Sequence, residues 1–336
     1  NTTPRRPCQH FLTSFFQFFC DFFLKVQNLN RSIPPRHRCA MTTPLKGELY
    51  TSAAPCVPAA GAHYSIIHYK ALRKGTLSMI LTVNIGNTHI TVGGYEQDTL
   101  RFCGQLHTDS AATIDEYAIR LVSLLSLHGA SPAQIESGIL GSVVPAVSGR
   151  VLSALRLLCK ARILTVGPGL KSGIRLQLDN PAQLGAELLC GAVAALAECP
   201  GPLVVISADT AISMMAVNAK QELVGGVILP GPQLSLSALV QNTAQLPQID
   251  LSFKEPASIL GKSTSACLQY GFVLGTASQL DGLAARFCAE LGPKTAFYAT
   301  GNLPQPILDA CRTPIRYRET LITDGLYRIW LKNRKS

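Results

Sequence analysis

The stretch MILTVNIGNTHITVGGY, Met79 to Tyr95, reads as a buried strand, a tight turn at Gly86-Asn87-Thr88 and a second strand. Gly86 supplies the freedom that a tight turn needs, and Asn87 and Thr88 add donors suited to phosphate oxygens. Alone, such a hairpin is an ordinary structural turn. The downstream sequence gives it weight. A third strand near 100–107 and an apolar-periodic helix over 113–127 precede a buried strand at 138–143, which runs into Ser142-Val143-Val144-Pro145. Pro145 cannot continue a strand interior, which sets this segment at the strand's carboxyl end, where α/β folds hold ligands.

A helix over 146–159, a strand at 162–166 and the loop GPGLKSG lead to a helix opened by Asn180-Pro181, with GAELL at Gly185 to Leu189. Cys199-Pro200-Gly201-Pro202 punctuates the chain, and the rhythm then restarts. LVVIS at 203–207 leads through a polar turn with Thr210 into an apolar strand carrying Met214, Met215 and Val217, followed by GGVILPG. Helices near 233–244, 263–290, 304–312 and 321–331, and a strand at 296–299 ending in Thr300-Gly301-Asn302, complete the second half. Strands alternating with helices, doubled in one chain, predict an α/β protein of two similar subdomains, 79–200 and 201–336, with a cleft between them.

At 336 residues, with 47% hydrophobic and 15% charged residues, the chain has the composition of a core-forming globular protein. Its net charge of +10 is unevenly placed. Residues 1–78 hold 10 Lys/Arg and 2 Asp/Glu, a balance of +8, and residues 79–336 hold 20 and 18, a balance of +2. The nearly neutral body argues against nucleic acid as a partner. The segment 1–78 starts with Asn, concentrates 7 of the 12 Phe between Phe11 and Phe23, and shows no sustained period. It reads as a leader outside the fold, with synthesis beginning at Met79. A start at Met41 and a targeting leader are the alternatives, although Asp21 interrupts the apolar run, which is too short for a membrane span. The seven cysteines of the body are widely spaced without a CxxC pair, so they read as small core residues in a reducing compartment.

The succession NIGNT, SVVP, NP-x3-GAEL, SADTA, GGVILPG, GKST, TGN and DGL, spread over nearly all of 79–336, resembles the type III pantothenate kinases. The resemblance implies two tandem ribonuclease-H-like subdomains, the fold of acetate and sugar kinases, Hsp70 and actin. It also implies ATP-dependent phosphorylation of pantothenate to 4'-phosphopantothenate, the first step of coenzyme A synthesis. Mg-ATP, a monovalent cation (K+ or NH4+), a cytoplasmic homodimer and no membrane or nucleic-acid partner belong to the same expectation.

Carried over residue by residue, the resemblance sets Asn84, Gly86, Asn87, Thr88 and Thr210 on the ATP-phosphate side. Gly185, Ala186, Leu188, Leu178 and Thr264 fall on the pantothenate side, Thr264 at a position that the family supplies across its dimer interface. Glu187 stands where the family has the Asp that accepts the substrate's proton, and Ser207 at the monovalent-cation position. The sequence departs from the family at Asn84, Glu187 and Ser207, each an Asp there, at Leu188, an Arg there, and at Leu178, a Tyr there. In an extended strand Ser207 and Asp209 face the same side, so Asp209 is the candidate to supply the lost carboxylate; a strand-end Asp capping the turn is the alternative. Lys262 reads either as a phosphate contact or as an exposed helix-start lysine, and His89 as a strand residue. A helix N-terminus after Asn180-Pro181 predicts a depressed pKa for Glu187. These departures leave open a catalytically inactive relative acting as a ligand-binding or regulatory dimer, or a kinase for another small alcohol.

Overall fold

The computed structural model describes residues 78–251 and 259–334; the segment 1–77 and the leader reading attached to it lie outside them. Strands β1 (Met79–Ile85), β2 (His89–Glu96) and β3 (Thr99–His107) form an antiparallel meander. β4 (Ile135–Ser142) then pairs parallel with β1, and β5 (Arg162–Thr165) with β4, giving the order β3-β2-β1-β4-β5. Helix α1 (Ile114–Leu127) follows β3, and helix α2 (Pro145–Leu158) follows β4. Thr113 caps α1 in a reciprocal capping box with Glu116, which ends the preceding loop decisively.

The second half repeats this path. β7 (Leu203–Ala208), β8 (Ala211–Val217) and β9 (Glu222–Pro230) form a meander, β10 (Ala296–Gly301) pairs parallel with β7, and β11 (Ile315–Tyr317) with β10. The resulting order is β11-β10-β7-β8-β9, with β6 (Arg175–Leu176) added beside β9. The same five-strand order occurring twice in one chain is the duplicated ribonuclease-H-like architecture of the actin, Hsp70 and sugar-kinase superfamily. Helices α4 (Pro232–Gln241), α5 (Thr264–Leu291) and α6 (Gln305–Ala310) belong to this half.

Two further helices, α3 (Ala186–Glu198) and α7 (Leu321–Asn333), pack on one another in the middle of the molecule. α3 lies on β7, and α7 lies on β1 and β4, so each half sends its last helix to the other's sheet. β1 is therefore buried on both faces, which explains its nearly continuous apolar sequence. Leu81, Val83 and Ile85 pack with Tyr117, Leu121 and Leu125 of α1 and with Val151 and Leu155 of α2. The opposite face, with Ile80, Thr82 and Asn84, turns toward α7 and α3. At the helix crossing a Cβ on Gly325 would lie 1.9 Å from the Cys190 carbonyl oxygen, so this approach requires glycine.

Two local expectations change. Asn180-Pro181 opens only a three-residue 3-10 turn, Pro181–Gln183, closed by Leu184 N–H on the Pro181 carbonyl. The chain re-extends at Leu184, and α3 starts after Gly185 with no side-chain cap. β6 and β11 were not foreseen, because two and three residues are too few to show a period. Among the described residues no helix is long and apolar enough to cross a membrane, and the seven body cysteines form no disulfide.

Candidate active site

The carboxyl ends of β1, β7 and β10 line one cleft through Asn84, Ser207 and Thr300, among others. The hairpin between β1 and β2 closes with Gly86 N–H on the His89 carbonyl at 2.9 Å, and Thr108 Oγ1 donates to the Gly86 carbonyl at 2.7 Å. Glu187, second residue of α3, lies directly over this turn. A Cβ on Gly86 would stand 3.0 Å from Glu187 Oε1 and 3.1 Å from the His89 carbonyl oxygen, so glycine makes room for the side chain above the turn; its backbone lies outside the left-handed region, so the turn itself does not demand glycine.

Asn84, 5% exposed, donates from Nδ2 to Glu187 Oε1 at 2.9 Å. Its Oδ1 is buried with no hydrogen-bond partner among the described residues, a state that costs about 1–3 kcal/mol when nothing fills it. Burial pushes the Glu187 carboxyl above the usual range, the Asn84 hydrogen bond pulls it down, and the nearby Asp209 charge adds to the rise. The expected depression by the helix N-terminus is thereby corrected. The field at a helix terminus is worth about 0.3–1 kcal/mol at an exposed position, less than desolvation costs a half-buried carboxylate beside a like charge.

From the second half, Ser207 and Asp209 reach the same cleft. β7 ends at Ala208, so Asp209 stands in the turn, where Asn302 Nδ2 donates to its Oδ1 at 3.3 Å. The Thr300-Gly301-Asn302 segment runs beside the β7 end and also lines the cleft. Gly301 has φ 90°, a Cβ there would lie 2.1 Å from the Ala208 carbonyl oxygen, and Tyr317 OH donates to the Gly301 carbonyl at 2.8 Å. The cleft, about 170 Å³, is completed by His89, Glu319 and Thr323 among others. Among the described residues its lining contains three carboxylates, Glu187, Asp209 and Glu319, and no Lys or Arg. Among the described residues no group of three His, Cys, Asp or Glu side chains is placed to hold a metal ion.

On the other side of the first turn of α3 is a cavity of about 840 Å³, whose wall includes Ser142, Val143, Pro145, Gly185 and Ala186. Glu187 itself lines the cleft, while its sequence neighbours Gly185, Ala186 and Leu189 line this cavity. The remaining expected residues do not line the cleft. Asn87 is exposed at the hairpin tip, and Thr88 is half-buried beside it, its carbonyl accepting from Thr108 N–H. Thr210, in the second hairpin, accepts Gly231 N–H on its carbonyl at 2.9 Å. Leu178 packs against the cluster holding Leu203, Val205 and Tyr298, and Leu188 is half-buried on α3 outside the cavity lining. Lys262 and Thr264 are exposed at the start of α5. His89 is the first residue of β2, as a strand reading expects, and also a cleft residue. Sequence reasoning gave no role to Thr300, Asn302, Tyr317, Glu319 or Thr323; the TGN segment was the available signal for the first two.

The family model described as type III pantothenate kinase matches residues 80–286. This chain belongs to the type III pantothenate kinase family. Curated relatives of that name include one from Exiguobacterium sp., 35% identical over 257 residues, which make up 76% of this chain and 100% of the relative. One from Anaeromyxobacter dehalogenans is 34% identical over 256 residues, again 76% of this chain and all of the relative. One from Rhodospirillum centenum is 38% identical over 235 residues, 68% of this chain and 85% of the relative. The matched range 80–286 includes the turn at Gly86, the first turn of α3 and the β7 end.

Proposed function

We propose that this chain is an ATP-dependent kinase whose acceptor is pantothenate or a close hydroxy-amide analogue, with Glu187 as the catalytic base. The observation that carries this reading is the Glu187 carboxylate, held through Oε1 by Asn84 in a polar cleft that the ends of β1, β7 and β10 also line. Oε2 remains for a hydroxyl. The acceptor oxygen attacks the γ-phosphorus of ATP, the bond to the β–γ bridging oxygen breaks, ADP departs, and the hydroxyl proton passes to Glu187. A raised pKa suits this role, since a carboxylate nearer the working pH is a stronger base.

A cleft whose described lining has three carboxylates and no Lys or Arg favours a polyphosphate accompanied by a counter-ion, so the donor set fits Mg²⁺ accompanying ATP. Asp209 and Ser207 would hold it or the family's K+ or NH4+, with water and phosphate oxygens completing the shell. The unpartnered Asn84 Oδ1 is a further neutral donor. When bound, the metal ion supplies charge neutralisation for the transferred phosphoryl group. Gly86, Asn87, Thr88 and Thr210 are proposed as the phosphate-facing turns of the two hairpins.

The proposed assembly is a homodimer in the cytoplasm. Gly271, Gly275 and Gly282 of α5 each leave open space where a side chain would stand, and a second copy of this face fits that smooth surface and would bring Thr264 near the partner's acceptor cavity. A second reading, a dimer that binds nucleotide without turnover, is favoured by Asn84 in place of a charged metal ligand. The test is ADP formation by the full chain with Mg-ATP, with and without pantothenate, alongside mass detection of the phosphorylated acceptor. Pantothenate-dependent ADP supports the kinase, and nucleotide binding with no turnover supports the second reading.

A further inference from the structure

Residues 318–324 carry the chain from β11 into α7, and their side chains divide between two sites. Glu319, Ile322 and Thr323 line the cleft, whereas Arg318 and Asp324 line a separate cavity of about 430 Å³ together with Tyr95, Glu198 and Tyr327. Asp324, in the first turn of α7, is held from three directions. Its Oδ1 accepts from Tyr95 OH on β2, and its Oδ2 accepts from Thr320 Oγ1 at 3.0 Å and from Arg318 Nη2 at 3.3 Å. Arg318 Nη1 reaches on to the carboxylate of Glu198, the last residue of α3, and the Arg318 N–H donates to the Ala299 carbonyl of β10 at 2.8 Å. The side chains of Asp324 and Glu198 are only 22% and 30% exposed, so these pairs keep more of their attraction than pairs standing free in water.

Since α7 lies on β1 and β4, and α3 on β7, the succession Tyr95, Asp324, Arg318, Glu198 runs from the elements on the first sheet to those on the second. Within it the Arg318–Asp324 pair is the link that crosses. Its sequence neighbours Glu319 and Thr323 are cleft residues, tied in turn by Thr300 Oγ1 on the Glu319 carbonyl at 3.4 Å and by Thr323 Oγ1 on the Thr320 carbonyl at 2.7 Å. A shift of Arg318 against Asp324 is therefore a shift of the cleft walls. A second tyrosine–aspartate bond, from Tyr327 OH to Asp98 Oδ1, joins α7 to the turn between β2 and β3 and stays within the first half's packing.

We propose that Arg318 and Asp324 are positioning residues for the nucleotide: their ion pair, formed outside the cleft, sets the separation of the cleft walls that a nucleotide must bridge. With the pair made, the walls are in place before the nucleotide arrives. Without it, binding must also order them, and affinity falls. This rests on the kinase reading above and adds what preorganises its nucleotide site.

The experiment measures Mg-ADP binding by calorimetry, and kcat and KM for Mg-ATP with pantothenate, in the full chain and in Arg318→Met, Asp324→Asn, the double variant and Tyr327→Phe. Asp324→Asn keeps an acceptor for Tyr95 and removes only the charge. The expected result is an affinity for Mg-ADP about tenfold lower in each of the first two variants, with no further loss in the double variant, as for two residues that act through one contact. KM for Mg-ATP should rise in step while kcat stays within about threefold. Tyr327→Phe removes a comparable hydrogen bond that does not cross between the halves; it should lower the melting temperature and leave nucleotide affinity within about twofold. Unchanged affinity in Arg318→Met, additive losses in the double variant, or an equal loss in Tyr327→Phe overturns the inference. Should Asp324→Asn not fold, Arg318→Met, at a position 42% exposed, decides against Tyr327→Phe alone. Nucleotide binding without phosphoryl transfer in the native chain fails the kinase reading only, and the binding comparison still judges the pair. A native chain that binds no nucleotide overturns both.

Discussion

Asn84 Nδ2 donates to Glu187 Oε1 across 2.9 Å, tying the penultimate residue of β1 to the first turn of α3. The amide orients one carboxylate oxygen and adds no charge of its own. An Asp at position 84 would instead set a second carboxylate against Glu187, and two such groups share one proton through much of the pH range. Asn84→Asp is therefore expected to lower the apo protein's stability at neutral pH. The sign follows from linkage: a carboxyl whose folded pKa is raised contributes stability that is present below its unfolded pKa and lost as pH rises through the folded value. Thermal melts against pH, with and without Mg²⁺, check this. Added Mg²⁺ should stabilise the variant more than the native chain, and a variant melting like the native at every pH contradicts the pairing.

The raised pKa of Glu187 itself makes a separate prediction. Its ionised form is disfavoured in the folded protein, so Glu187→Gln should melt higher than the native chain at neutral pH. The two should converge as pH falls below the folded pKa of Glu187. Asn84 can turn its amide to pair with the new side chain, which preserves the local hydrogen bond. A variant that is less stable at neutral pH would show that the carboxylate is stabilising where it stands.

At the α3–α7 crossing, Gly325→Ala drives a methyl group into the Cys190 carbonyl, where the contact would be 1.9 Å. Both helices must shift, at an expected cost of about 2 kcal/mol or more. Urea denaturation measures it as a lower midpoint at unchanged slope. A loss below about 0.5 kcal/mol would mean that the crossing is loosely packed.

For the proposed dimer, Gly271→Arg adds a large charged side chain where nothing lies within 4 Å in the protomer. The fold should tolerate it and the assembly should not. Sedimentation is expected to give a native dimer and a variant monomer with unchanged circular dichroism; a monomeric native chain contradicts the assignment of this face.

Much of the fold was legible because its signals are local. The hairpin at Gly86 and the doubled succession of strands and helices need only apolar periods and turn residues, whereas the strand order, which includes the short β11, came from the structure. Glu187, Asn84, Ser207 and Asp209, singled out through motif order, all line one cleft. The Glu187 pKa was not legible, because it is set by the residues that cover it, and sequence spacing does not report that Asn84 and Asp209 lie there. Glu319 and Thr323 were missed for a related reason: they reach the cleft through β11, too short to read, and through α7, which packs on the first half's sheet. The start of α3 was misplaced because Asn180-Pro181 carries the usual opening signal but spends it on a single 3-10 turn.

The central claim is that Glu187 accepts the acceptor's proton in the cleft where Asn84 holds it. It is tested most directly by single-turnover phosphoryl transfer in the native chain and in Glu187→Gln, each loaded with Mg-ATP and mixed with pantothenate, with nucleotide affinity measured in parallel. The account predicts acceptor-dependent ADP in the native chain and a loss of about a hundredfold or more in the variant, with nucleotide affinity changed by no more than a few fold. Equal transfer by the two proteins would contradict it and move the base to another group in the cleft, with Asp209 the first to examine.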